Sequence, residues 1–424
     1  MKYKIDDKPA VLPLLLYGLQ WWLVSIPCVV IMGIIIARMH YDGLADQTFY
    51  LQKLFGLMGA AMIVQVLFGH RLPLIIGPAS VLLIGIISTI SSGVAAIYTA
   101  IFVGGIILLL LAVTGLLSKL QFIFTPRIVT VILILIAFTL SPVILRLVFS
   151  GEASVLFNLV FAVLLVFALV ISNILLKGVW KSTTVLWGIG VGSLVYFMVH
   201  GFPEISVLDT PASAPLLNFS LDFNVSAILA FLFCFIALVI NELGSIQAVG
   251  QMLKADKLEK RTNRGVGFLG LSNMFAGLLG VVGPVDYSMS PGVIAATGCA
   301  SRYTLIPAGI GLIICAFFPS VVQLLVEIPG VVMGAILLYL MASQLSAGLQ
   351  MLVKDNTITN FNHGIIIGLP LMIALMLSFA PADVLNQIPP LIRPIIGNGF
   401  VMGVLAVLIM EHLLFKQRGT ALKQ

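Results

Sequence analysis

The feature that most constrains this chain is how long its apolar runs are and how little charge interrupts them. Of its 424 residues, 60% are hydrophobic and only 9% are charged. The mean hydropathy is +1.17. Soluble chains carry about 25% charged residues, so a protein of this size has too few polar groups to cover a surface facing water. Fourteen apolar stretches can be placed, at about 12–37, 50–68, 74–90, 94–117, 126–149, 154–176, 182–200, 224–252, 264–283, 286–300, 303–325, 329–350, 360–380 and 391–415. A helix of about 20 apolar residues crosses a bilayer and pairs its backbone groups internally, as lipid demands. The predicted fold class is therefore all-α integral membrane with fourteen segments. Soluble enzymes and nucleic-acid-binding modules are excluded. The first run is too long, and its polar head too mixed in sign, to be a signal peptide.

The net charge of +6 reports orientation rather than a polyanion partner, because the basic residues fall between apolar runs instead of clustering. With the N-terminus cytoplasmic, 18 of the 22 Lys and Arg residues lie on the cytoplasmic side, and only Arg38, Lys53, Arg146 and Arg393 lie on the other. A positive-inside bias of that size supports an even number of crossings with both termini cytoplasmic. A polar connector at 201–223, expected outside the cell, separates a first half (1–200, segments 1–7) from a second (224–424, segments 8–14).

Two interrupted segments occupy corresponding places in these halves. Segment 3 contains Leu74-Ile75-Ile76-Gly77-Pro78-Ala79-Ser80-Val81, and segment 10 contains Tyr287-Ser288-Met289-Ser290-Pro291-Gly292-Val293. In each, a short stretch meets a proline suited to the first turn of a helix, where its missing N–H costs nothing. Non-helical backbone at membrane depth survives only when buried in protein or lining a cavity. Paired breaks of this kind point to a transport site near the midplane, although Pro and Gly are also simply common in membrane helices. A second echo links Thr125-Pro126, opening segment 5, with Pro329-Gly330, opening segment 12. Seven segments per half would make the repeat inverted.

The stretch from Gly280 to Gly298 resembles the signature region of the nucleobase-ascorbate transporter family, which includes bacterial uracil and xanthine permeases. Gly292, Thr297 and Gly298 match, whereas Met289 and Ser290 replace the polar pair that opens the signature. Asn241-Glu242-Leu243-Gly244 resembles the family's acidic segment 8. Gly18-Leu19-Gln20, Gly69-His70-Arg71 with Gly77, and Arg393-Pro394 add matches in order. The resemblance implies a core domain of segments 1–4 and 8–11, a gate domain of 5–7 and 12–14, substrate between the half-helices of segments 3 and 10, and a homodimer in the plasma or inner membrane.

Glu242 lies in an apolar run, where a carboxylate is expensive and by default functional. It could exchange a proton as access alternates, or it could be a structural Glu bonded to a neighbouring helix. Aligned on Leu243-Gly244, Asn241 takes the family's acidic position and Glu242 falls one residue later, about 100 degrees around the helix. Asp286 could supply the negative charge that Met289 lacks, or sit at the outer mouth as a solvated acid. Gln20 is an isolated amide needing a partner. Tyr287 could stack on a planar base, and main-chain groups at Ser288, Met289, Ser290 and Gly292, and at Gly77, Ala79 and Ser80, could read its polar edge. Asp383, Glu327 and Glu411 sit near segment ends and are expected to meet water. The string Gly265-x-Gly267-x-x-Gly270 follows no strand, so it reads as close helix packing rather than a dinucleotide site. The five histidines lack zinc spacing, and the cysteines Cys28, Cys234, Cys299 and Cys315 read as small buried hydrophobes.

The leading expectation is a secondary active importer of a purine or pyrimidine such as xanthine or uracil, without a cofactor. H+ would be the coupling ion, held by Glu242 and Asp286, with Na+ the alternative. A sulfate- or bicarbonate-type anion carrier of related architecture is the second reading, favoured by the loss of the polar group at Met289 and opposed by Glu242. No nucleophile-base pair or metal cluster stands at recognisable spacing, so an enzyme is not expected.

Overall fold

The computed structural model describes residues 2–116, 125–149, 154–177, 180, 184–202, 215–217, 220–287, 290–354, 358–389 and 392–415. Ser288 and Met289 lie outside these, as do 203–214 and 218–219 of the connector. Helices α1 (Val11–His40) and α2 (Leu44–Leu67) precede a short strand β1 (Ile76–Pro78), then α3 (Ser80–Thr89) and α4 (Val94–Val113). The first half continues through α5 (Pro126–Thr139), α6 (Ser141–Val148), α7 (Val155–Leu175) and α8 (Thr184–His200). The second half has α9 (Val225–Met252), α10 (Leu258–Leu279), strand β2 (Pro284–Asp286), α11 (Ser290–Thr297), α12 (Leu305–Ala316) and α13 (Pro319–Val326). It ends with α14 (Gly330–Lys354), α15 (Phe361–Ser378), α16 (Ala382–Asn386), α17 (Arg393–Ile396) and α18 (Gly399–Ile409).

Eight of the described helices are long and apolar enough to cross a membrane, or nine if the bent pair running from Arg302 to Val326 is one span. The chain is a mostly helical, multi-pass membrane protein. Local chemistry explains several boundaries. Thr125 caps α5 by accepting from the Ile128 N–H at 3.3 Å, with Pro126 in the first turn. Segment 11 turns through 87° before Pro319, because proline disfavours helical backbone in the residue ahead of it.

Two findings correct the sequence expectation. The protein is not purely helical: β1 and β2 pair antiparallel, with Ile76 opposite Asp286, Gly77 opposite Val285 and Pro78 opposite Pro284. The two breaks therefore satisfy each other's backbone groups at depth, where water cannot. Pro78 also lies in the strand rather than in the first turn of α3. It faces another proline at a pair whose N–H positions point out of the ladder, so neither missing donor costs a bond, and the next ladder bond runs from the Ala79 N–H to the Gly283 carbonyl at 2.9 Å. Pro291, by contrast, does sit in the first turn of α11.

Close packing of small residues holds the helices around this crossing. A Cβ on Gly270 would come within 2.8 Å of the Gly105 carbonyl, and one on Gly59 within 2.4 Å of the Gly309 carbonyl. Thus α10 rests on α4 and α12 on α2, backbone to backbone, and the glycine run in α10 is a packing surface. Helix α9 packs on α3, α4 and α10, while α14 packs on α5, α6 and α7, and α15 on α5 and α18. Glu411 does not simply meet water: Arg127 Nη1 lies 2.8 and 2.9 Å from its two oxygens, tying the start of α5 to the end of the chain's last described helix.

Candidate functional site

The site is built on the strand crossing. Tyr287, just past β2, donates its backbone N–H to the Ile75 carbonyl at 2.8 Å and its hydroxyl to the Pro78 carbonyl at 2.8 Å. The phenol therefore lies against Gly77, where an added Cβ would be 2.6 Å from the ring. Ser290 Oγ accepts from the Ile75 N–H at 3.0 Å and donates to the Tyr287 carbonyl at 2.8 Å, so the segment 10 break is locked onto the segment 3 break. Ala79 is buried, and its N–H is bonded to the Gly283 carbonyl at 2.9 Å. Gly283 in turn faces Asn273, whose oxygen would be 1.8 Å from a Cβ there. Ser80 opens α3, and Gly292 lies in the first turn of α11. Two helix N-termini, each a partial positive charge, thus begin at the crossing.

Helix α9 meets β2 along one side. Glu242 is fully buried, and its Oε2 accepts the Asp286 backbone N–H at 3.0 Å. Ser245 Oγ and Asn241 Nδ2 donate to the Asp286 carbonyl at 3.0 and 3.4 Å. The one-residue offset between Asn241 and Glu242 has a clear structural meaning. Asn241 is half-buried and lines a cavity, whereas Glu242 is turned inward onto the strand. Gln20, on α1, is half-buried with an unpartnered side-chain oxygen. Its neighbour Trp21 is a packing residue, 1% exposed, donating to Thr304 Oγ1 at 3.0 Å.

Asp286 is not at a solvated mouth. Its side chain is fully buried, and His70 Nε2 lies 3.2 Å from its Oδ2. That is ion-pair distance, without the angular geometry of a formed hydrogen bond. Sequence reading noted His70 only within the Gly69-His70-Arg71 match and did not place it beside Asp286, since it stands 216 positions from that residue. The loop carrying it is clamped by two arginines. Arg261 donates to the His70 and Arg71 carbonyls at 3.4 and 2.8 Å, and Arg302 to the Val66 carbonyl at 2.6 Å.

A cavity of about 900 Å³ opens between α9 and α14. It is lined by Asn241, Gly244, Ser245, Gln247 and Gln251 on one side and by Gln344, Ser346 and Gln350 on the other, with Val129 and Leu133 of α5 beside them. Uncharged amides dominate its polar lining. Positions 241, 244, 248 and 251 share one face of a helix, a stripe that could have been read from sequence had the partner helix been known. The cavity reaches the crossing at Asn241 and Ser245. Such a space can take a flat, neutral, hydrogen-bonding molecule.

Comparisons with known proteins bear on this geometry. The model of the Permease family (Xan_ur_permease) matches residues 12–383. The chain is 27% identical over 427 residues to "Putative purine permease CPE0397" of Clostridium perfringens, covering 97% of this chain and 92% of that one. It is 25% identical over 383 residues to nucleobase transporter PlUacP of Paenibacillus larvae, covering 87% of each. Among solved structures, the transmembrane domain of the cyanobacterial bicarbonate transporter BicA superposes with a TM-score of 0.61 at 16% identity, covering 86% of this chain and 95% of that one. At that identity the likeness speaks to fold alone.

Proposed function

This chain belongs to the Permease family, the xanthine and uracil permeases, and is a transport protein rather than an enzyme; from that premise we propose that it imports a nucleobase together with a proton. The observation that carries the reading is the antiparallel crossing of the two half-segments against Glu242 of α9. A crossing built from two helix starts and a neutral amide cavity suits a planar base, whose edge alternates donors and acceptors.

Substrate sits against Tyr287, Ser80 and the first turn of α11, with Asn241 and Ser245 reading its polar edge from the cavity and Gln20 facing it from α1. Glu242 and Asp286 hold the coupling proton, because a carboxylate at such depth is carried across most cheaply when neutral. The chain crosses the membrane fourteen times in two inverted sets of seven, with both termini cytoplasmic, in the plasma or inner membrane. Segments 1–4 and 8–11 move as a core against a gate of segments 5–7 and 12–14. The packing of α9, α10 and α12 with α2, α3 and α4, and of α14 and α15 with α5 to α7 and α18, supports that division. A homodimer through the gate completes the proposal. The relatives' names favour a nucleobase over an inorganic anion.

The test is uptake by cells or proteoliposomes of radiolabelled uracil, xanthine, hypoxanthine, guanine and urate, with pH varied on each side. Saturable uptake of at least one base, driven by an inward proton gradient, is the expected result. No uptake of any base at any pH refutes the reading.

A further inference from the structure

Where α4 ends and α10 begins, a crevice of about 500 Å³ opens between the two helices, away from the strand crossing. Its apolar part is made by Leu109 and Ala112 of α4 with Gly267, Phe268 and Leu271 of α10. Gly267 and Ala112 face each other across it, an added Cβ on the glycine standing 3.4 Å from that of the alanine. Two residues with almost no side chain thus leave a trough between packed helices. One end of the trough is polar, with Glu259, Lys260 and Arg264. Lys260 and Arg264 stand four residues apart, so they share a helix face. Arg264 Nε is buried without a hydrogen-bond partner, a costly state for a charged donor. Among the described residues neither Lys260 nor Arg264 makes an ion pair.

The polar end carries more positive charge than its acids offset. Arg71 and Arg261 lie near enough to Arg264 to repel it, and Lys254 and Lys257 precede α10 in the chain. Asp256 is already bonded to Arg261 at 2.7 Å, which leaves Glu259 against two cations. That end suits an anion, while the rest of the crevice offers apolar surface. The surface around it faces lipid: Val113, beside Ala112, and Phe68, in ring contact with Phe268, are both exposed. From Glu259 to Leu271 the crevice follows α10 for about 18 Å, a little more than one leaflet of a hydrocarbon core about 30 Å thick. Its mean cross-section is then about 28 Å², too narrow for a helix about 10 Å across but enough for one hydrocarbon chain about 4–5 Å wide. We propose that this crevice binds one anionic phospholipid, its phosphate held by Lys260 and Arg264 and one acyl chain lying along Gly267 and Leu271.

On the orientation proposed above, the polar end lies at the cytoplasmic surface, where basic pockets between membrane helices hold anionic headgroups. A phosphate there relieves the repulsion among Arg264, Arg71 and Arg261. The last of these also holds the loop of His70 through the His70 and Arg71 carbonyls. The acyl chain covers the open side of a contact that is otherwise backbone to backbone, since Gly270 meets the Gly105 carbonyl and the Leu109 N–H. Bound lipid therefore stabilises the packing of α4 on α10 and, through Arg261, the loop beside the crossing.

Native mass spectrometry of the detergent-purified full chain tests the site, with phosphatidylglycerol, phosphatidylethanolamine or phosphatidylcholine added at equal concentration. Wild type should hold one phosphatidylglycerol in preference to either other lipid. K260Q/R264Q removes two cations, each worth about fivefold in affinity for an anionic lipid, so the preference should fall by about 30-fold. K254Q/K257Q takes as much charge from just outside the crevice and should keep most of the preference. A112F fills the apolar part, leaves every charge in place and should lose the bound lipid. Glycerol 3-phosphate, a headgroup without chains, should not displace it. Equal retention of the three lipids by wild type overturns the site without recourse to any variant. So does an unchanged preference in folded K260Q/R264Q, an equal loss in K254Q/K257Q, lipid still held by A112F, or displacement by glycerol 3-phosphate. None of these measurements involves a nucleobase, so the lipid site can fail while the transport reading stands, and the reverse.

Discussion

Gly77→Ala probes the crossing with a single methyl group. Gly77 is not in the left-handed region, so the effect is steric alone. The new Cβ would stand 2.6 Å from both Cε2 and the hydroxyl of Tyr287, against the 3.5–4.0 Å of an ordinary carbon contact. The ring must move by about 1 Å. It cannot do so freely, because its backbone N–H is bonded to Ile75 and its hydroxyl to Pro78, each at 2.8 Å. Overpacking costs about 1–3 kcal/mol, and weakening the hydroxyl bond adds about 0.5–1.5 kcal/mol. A loss of about 2–4 kcal/mol follows. Denaturant midpoints of the detergent-purified protein would measure it, alongside Y287A and G77A/Y287A. With the ring gone the alanine has nothing to strike, so the double variant should match Y287A to within about 0.5 kcal/mol. A G77A protein as stable as wild type, or two losses that simply add, would refute the reasoning.

Gly270→Leu should abolish expression of folded protein, since even a Cβ there meets Leu109 N at 2.6 Å; size-exclusion profiles after membrane extraction would report it. Glu411→Ala should cost about 1–2 kcal/mol, between an exposed pair and a buried one. Arg127→Ala in the same background should add little, which a double-mutant cycle on unfolding midpoints reads. The hydrogen bond from Arg261 holds the Asp256 carboxyl below its ordinary value. Its stabilisation is therefore present above the unfolded value near 3.9 and is lost as pH falls through the lower folded one. The stability gap between wild type and D256N should accordingly hold across pH 5–8 and close below about pH 4. Q251C in the amide cavity should react with a thiol reagent and be shielded by a saturating transported base. Unshielded labelling would remove the cavity from the substrate route.

What could be read from the sequence follows from where the information lies. The breaks at Gly77-Pro78 and Ser290-Pro291-Gly292 were legible because Pro and Gly act on the backbone beside them. The glycines of α10 were legible as packing because a membrane span leaves them few other roles. The cap at Thr125 needed only three residues of context. By contrast, the strand pairing joins residues some 200 positions apart, and no alternation could announce strands of three residues. Asp286 looked as much like a mouth residue as a buried one, because its partner His70 sits in a different half of the chain. The same holds for Glu411 and Arg127. Segment ends were misjudged where polar residues continue a helix: α10 begins at Leu258, six residues before the apolar run, with Lys260, Arg261 and Arg264 on its first turns.

The central claim is that Glu242, turned onto the strand crossing, loads the proton that drives a nucleobase across the membrane. It is tested most directly by recording proton and base fluxes together in proteoliposomes of wild type and E242Q. The account predicts that wild type moves protons in step with a base and concentrates it against its gradient, while E242Q binds and equilibrates the base without concentrating it or moving protons. E242Q protein that concentrates the base as well as wild type does, with the same proton flux, would contradict it.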